Sequence, residues 1–250
     1  MNKVFVFDLD DTLMDNVHDY AGPILDMARV IIRELGSRAP HVSAIIAKEE
    51  EIDKARVGEV NPATGHKFLY SMERFPGTMV ATYKYFCEKA KVEPKKPVED
   101  ELYAVGMQAF DTAKYISNIK PDALSTIRFI YKQRDIPMLM SKGDRRVQSN
   151  KFSAIRAEDN FLRASIVENK SPETFLHMLN GYESYAPYSV GNDYEKDIVP
   201  ALEAGYRGVF IPVETWEVIG RMDEIFAKVD RSRCLILNNL SELKERYGEL

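Results

Sequence analysis

Short apolar runs separated by helix-length stretches set the strongest limit on how this chain can fold. The runs fall at residues 4–7, 137–140, 188–190, 208–211 and 235–237, with a less marked one at 164–167. Brief apolar runs of this kind read as buried strands. Between them, residues 121–133, 146–156, 172–179, 196–204 and 241–247 have the length of helices. Pro121 and Pro172 suit a first helical turn, and Gly205 suits a helix stop. Strand and helix in alternation predict an α/β fold, a doubly wound, Rossmann-like parallel sheet with helices on both faces.

One long segment breaks the alternation. Residues 15–120 carry no strand pattern but several amphipathic stretches. "PILDMARVIIRELG" sets Ile24, Met27, Ile31 and Leu35 on one face and stops at Gly36. "GTMVATYKYFCEKA" and "DELYAVGMQAFDTAKYI" are similar, and "EPKKP" at 93–97 reads as a short loop between helices. The organisation expected is a core of residues 1–14 and 121–250, interrupted after its first strand by an all-helical insertion.

Composition narrows the function classes. The 250 residues are 45% hydrophobic and 29% charged, enough apolar surface for a full core. A net charge of −5 leaves no basic footprint for nucleic acid or an anionic membrane. No apolar run approaches the roughly 20 residues that span a bilayer, and no basic-then-apolar leader opens the chain. Cys87 and Cys234 stand far apart, and His18, His41, His66 and His177 are scattered, so neither a zinc site nor a disulfide framework is expected. The expectation is a reduced, cytoplasmic protein.

The chemistry concentrates where the first strand ends. In "KVFVFDLDDTL" three aspartates, Asp8, Asp10 and Asp11, arrive within four positions of the last apolar residue. Ligands of an open parallel sheet bind at the carboxyl ends of its strands. Strand alternation puts Asp8 and Asp10 on one side, where two carboxylates repel unless a cation or donors hold them. Hard oxygen ligands in a small site suit Mg²⁺, and a carboxylate can also serve as a nucleophile beside a second one acting as acid and base. The plainer alternative is that Asp10 and Asp11 cap a turn; Asp11 and Thr12 fit that description well.

Later strand ends add partners. "MLMSKGD" places Ser141 and Lys142 after the second run, where they suit phosphate binding. "VENKSPETF" places Lys170 between a run and a helix, and "YSVGNDYEKDI" follows the fourth with Asn192, Asp193 and Asp197. Each has a structural alternative: a turn serine, solvated lysines, and acids at the positive end of a helix. In the insertion, Lys67, Arg74 and Lys84 are open to two readings, anion contacts or ordinary surface charge.

Taken in order, the four motifs resemble those of the haloacid dehalogenase-like hydrolase superfamily. "DLDDT" is similar to its DxDxT nucleophile motif, Ser141 to its strand-end hydroxyl, Lys170 to its basic residue before a helix, and "GNDYEKD" to its acidic loop. The resemblance implies a phosphatase using Mg²⁺, with Asp8 as nucleophile and metal ligand and Asp10 as general acid/base whose carbonyl also faces the metal. Ser141 and Lys170 would hold the phosphoryl group, and residues 15–120 would correspond to a substrate-gating helical cap. One departure stands out: the usual Gly-Asp of the acidic loop reads Gly191-Asn192. Either Asn192 gives the metal a neutral oxygen or Asp193 takes that place, with Asp197 completing the pair.

The function expected is therefore Mg²⁺-dependent hydrolysis of a small phosphorylated metabolite through an aspartyl-phosphate. A sugar phosphomutase would share the first half of that reaction and differ in its acceptor. A non-catalytic phosphate-binding module is the reading from another class, with Asn192 as its foothold. Oligomeric state is not legible.

Overall fold

Val4, Phe5, Val6 and Phe7 are fully buried, and they form the middle of a six-stranded sheet. In the computed structural model, which describes residues 2–250, the strands are β1 (Lys3–Phe7), β2 (Ile136–Lys142), β3 (Ala164–Val167), β4 (Ala186–Gly191), β5 (Arg207–Phe210) and β6 (Cys234–Ile236). Their spatial order is β3-β2-β1-β4-β5-β6, and every pairing is parallel. This is the doubly wound α/β architecture that the alternation predicts.

The two faces of β1 bury different side chains, as strand alternation requires. Val4 and Val6 pack with Met138, Met140, Phe175 and Met178. On the opposite face, Phe5 stacks on Tyr188 with ring centroids 5.2 Å apart, and Phe7 meets Phe161 edge-on at 6.4 Å. Each such side chain stabilises the fold by about 1.5–3 kcal/mol. The chain builds β2 and β3 on one side of β1, then returns to its other side for β4. The crevice between the carboxyl ends of β1 and β4 is thus the topological switch point, where ligands of such sheets bind.

The chain divides into two compact units, of which His18–Asp111 is one and the remaining described residues are the other. The helical unit contains α1 (Ala21–Leu35), α2 (Val42–Arg56), α3 (Arg74–Ala90) and α4 (Lys96–Met107). Met27, Ile31 and Leu35 of α1 pack with Ile45 of α2, Phe75, Met79, Tyr83 and Phe86 of α3, and Leu102 and Val105 of α4. Helix α2 escaped the sequence pattern because its inner face is polar. Asp53 accepts from Thr78 Oγ1 at 3.1 Å and pairs with Arg74, while Glu49 is buried beside them. Arg74 is therefore neither a surface charge nor an anion contact. Lys96 and Pro97, expected in a loop, open α4, where proline suits the first turn.

The sheet unit adds α5 (Ala123–Lys132), α6 (Arg145–Ala154), α7 (Ala157–Asn160), α8 (Pro172–Leu179), α9 (Val199–Glu203), α10 (Met222–Lys228) and α11 (Glu242–Glu245). The segments at which the chain leaves and re-enters this unit run side by side. Asp15 N donates to Asn118 O at 2.8 Å, and Lys120 N to Leu13 O at 2.9 Å. These bonds draw residues 15–17 and 112–120 into the sheet unit, so the helical unit is shorter than the expected 15–120. The helix expected at 196–204 is two pieces: a π-helical turn, Tyr194–Ile198, leads into α9. Pro200 has no N–H to give to the carbonyl of Lys196, which breaks the α-helical ladder there. Among the described residues, no helix is long and apolar enough to cross a membrane.

Candidate active site

Asp8 follows β1 directly, and its N–H donates to Val190 O at 2.8 Å, extending the β1–β4 ladder by one bond. That bond fixes its carboxyl group at the switch point, only 9% exposed. Asp8 Oδ1 accepts from Lys170 Nζ at 2.5 Å, whereas Oδ2 is buried without a partner. Lys170 is delivered by the loop after β3 and anchored by the start of α8. There Ser171 N donates to Thr174 Oγ1 at 2.8 Å, Thr174 N to Ser171 Oγ at 3.3 Å, and Pro172 occupies the first turn. The same ammonium donates to Asp197 Oδ1 at 2.7 Å.

One buried cation thus sits between two buried carboxylates. Burial pushes the Asp8 carboxyl up to about 7 against the pull of Lys170, with Asp197 and Asp10 adding to the rise. Burial works against the Lys170 ammonium too, yet Asp197 and Asp8 hold its pKa above the ordinary lysine value, so it stays charged.

Asp10 lies beyond the end of β1, near enough for its charge to act on Asp8. Its Oδ2 accepts from Gln148 Nε2 at 2.8 Å and its Oδ1 from Lys151 Nζ at 2.6 Å. Ser141, at the end of β2 and fully buried, donates from Oγ to Gln148 Oε1 at 2.9 Å. Thr12 Oγ1 donates to Asn192 Oδ1 at 3.2 Å, joining the β1 loop to the β4 loop. Asp11 takes the left-handed conformation (φ 61°), and its carboxylate accepts from the N–H groups of Asn16 and Val17, each at 2.9 Å. It organises the turn, as its sequence context suggests.

The structure therefore brings Asp8, Asp10, Ser141, Lys170, Asn192 and Asp197 to one crevice. Two residues are turned elsewhere. Asp193 caps the turn that follows it, accepting from Lys196 N at 3.0 Å, with its other oxygen 3.4 Å from Lys196 Nζ. Lys142 donates to Asn169 Oδ1 at 3.2 Å, and burial together with the nearby Lys196 lowers its pKa. Asp197 instead turns inward: its Oδ2 accepts from Asp193 N at 3.0 Å, and its carbonyl accepts from Ser189 Oγ at 2.7 Å. The Asp193 and Asp197 carboxylates thus have different partners.

Sequence reasoning passed over Gln148 and Lys151. The available signal was the helix they belong to. Helix α6, "RRVQSNKFSA", offers few apolar residues to the sheet, so polar ones had to fill its inner face.

No protein-family model matches the chain, and no curated protein matches it. Solved structures do. A haloacid dehalogenase-like family hydrolase of Xanthomonas campestris superposes with a TM-score of 0.62 at 16% identity, over 99% of this chain and 95% of that one. A 2-haloacid dehalogenase of Pseudomonas syringae gives 0.55 at 20% identity, over 100% and 99%. A HAD phosphatase of Thermococcus onnurineus gives 0.58 at 15% identity, over 99% and 98%. The protein is thus a doubly wound α/β protein with a carboxylate–lysine centre at its switch point. Its fold is that of the haloacid dehalogenase-like hydrolases.

Proposed function

We propose that this protein is a Mg²⁺-dependent phosphohydrolase that cleaves a small phosphate monoester through an aspartyl-phosphate on Asp8. The observation that carries the reading is the buried Asp8–Lys170 contact with a second carboxylate, Asp10, two residues on. Asp8 attacks phosphorus in line, the ester P–O bond breaks, and Asp10 gives its proton to the departing oxygen. Asp10 then takes a proton from water, which attacks the phosphoryl group, releases inorganic phosphate and regenerates Asp8. Lys170 offsets the charge of Asp8 and of the phosphoryl oxygens.

The unpartnered Asp8 Oδ2 is what a divalent cation requires, since a buried carboxylate oxygen without donors is costly. Among the described residues no three His, Cys, Asp or Glu side chains are grouped to hold a metal. Asp8 with the Asp10 carbonyl and Asn192 Oδ1 makes a set of hard oxygens rather than a carboxylate cage. Such a set suits Mg²⁺, which keeps waters and takes phosphate oxygens. When bound, the ion supplies positive charge to the transferring phosphoryl group.

Asp10 also favours phosphate ester over carbon–halogen chemistry. A halide departs as a stable anion and needs no proton, whereas an alcohol leaving from phosphorus does. The test is phosphate release from a panel of small phosphate monoesters with Mg²⁺ and with EDTA. Metal-dependent release supports the reading. Silence across the panel, with halide release from a 2-haloacid, would replace it.

A further inference from the structure

Asp10 is gripped by two side chains that belong to no strand end. Gln148 and Lys151 stand three residues apart on α6, on one face of the helix, and are only 3% and 4% exposed. Gln148 Oε1 accepts a hydrogen bond from the Ser141 hydroxyl at 2.9 Å, which leaves its Nε2 to donate to Asp10 Oδ2 at 2.8 Å. Lys151 Nζ donates to Asp10 Oδ1 at 2.6 Å and to Asn16 Oδ1 at 2.7 Å. The loop before α6 leaves room for this arrangement. Gly143 has a φ of 150°, and a Cβ there would lie 2.9 Å from Gln148 Nε2.

Burying an amide and an ammonium costs free energy that apolar residues at these positions would avoid. What they do is place one donor on each oxygen of a single carboxylate, which stops it rotating about its own Cβ–Cγ bond.

We infer that Gln148 and Lys151 are positioning residues, which fix the Asp10 carboxyl group in the orientation that hands a proton to the ester oxygen. The inference rests on the phosphatase reading above. The proton moves from Asp10 to the departing oxygen as the P–O bond breaks, and Lys151 takes part only as a hydrogen-bond donor. The clamp therefore matters most where the leaving group most needs that proton. An ester whose leaving group is stable as an anion depends on it little.

Two esters of nearly equal size separate these cases: p-nitrophenyl phosphate, with a good leaving group, and phenyl phosphate, with a poorer one. The measurement is kcat/KM for both, with Mg²⁺, in wild-type protein and in Gln148→Met, Gln148→Glu, Lys151→Met and Lys151→Arg. Gln148→Glu keeps the side chain's shape but, ionised, has no proton for Asp10. It carries the test if Lys151→Met fails to fold. The expected result is a loss of about 10²-fold on phenyl phosphate and about tenfold or less on p-nitrophenyl phosphate, with Lys151→Arg recovering most of the phenyl phosphate rate. A purely structural role would lower both rates equally. Equal losses in folded variants, with wild-type protein active, overturn this inference alone. Wild-type protein silent on both esters overturns the phosphatase reading and the inference with it.

Discussion

Gly191 passes so close to Asp197 that a Cβ on the glycine would collide with the Asp197 carboxylate. The last residue of β4 thereby sets how far Asp197 can turn inward, and through Asp197 it sets the position of Lys170. Gly191→Ala should cost about 1–3 kcal/mol of stability through overpacking. It should also lower phosphate release steeply, because Lys170 loses one of its two anchors. Melting and turnover of the variant check both parts. Unchanged turnover would separate Asp197 from the chemistry.

Asp8→Asn should abolish phosphate release and leave the fold intact. The amide has nearly the same shape and is easier to bury than a carboxylate, while Lys170 keeps Asp197 as a partner. Melting should change by no more than a few degrees, on the scale of about 1 kcal/mol in a chain this long. Appreciable activity in pure, folded Asp8→Asn protein would sink the aspartyl-phosphate mechanism.

Asn192→Asp should lower the Mg²⁺ concentration that gives half-maximal activity. Asn192 Oδ1 sits in the crevice beside Thr12, and a carboxylate there would add a full negative charge to the proposed donor set. A Mg²⁺ titration of turnover reads the effect directly. An unchanged midpoint would remove Asn192 from the metal's surroundings.

The helical unit should weaken as pH rises, and Glu49 is the reason. Burial, with Asp53 beside it, pushes this carboxyl up to about 8 despite the pull of Arg74. The unfolded chain loses the proton near the ordinary value of 4.5, whereas the folded chain keeps it until about 8. The contribution is therefore fully present below about pH 4.5 and fades as pH climbs through about 8, a change on the order of a few kcal/mol. Urea unfolding across this range should show wild-type protein falling behind Glu49→Gln as pH increases. Parallel profiles would mean that Glu49 ionises normally.

By itself the sequence determined the sheet and the ends of its strands. Apolar runs of strand length, such as Val4 to Phe7, can hardly be anything but buried, and a polar residue directly after one has little choice of where to stand. Asp8 and Ser141 were legible for that reason, and Asp10 and Lys170 because they follow a strand end within three residues. Residues on helices carry no such constraint. Gln148 and Lys151 look like any solvated pair on α6 until the helix is docked on the sheet. The polar inner face of α2 hid that helix from a search for apolar stripes, because Asp53 and Arg74 satisfy each other across two elements that local sequence does not connect.

The acidic loop marks the boundary most clearly. Asn192, Asp193 and Asp197 were all candidates for one task, and their spacing could not rank them. Tertiary structure gave each a different partner through backbone geometry. Asp193 became a cap for the turn behind it, the π-helical turn and the bare Gly191 let Asp197 reach Lys170, and Asn192 was left facing Thr12. Which side chain enters a site depends on the type of a turn or on a missing Cβ several residues away. That information lies in the packing of β4 against its loop, beyond the reach of local pattern.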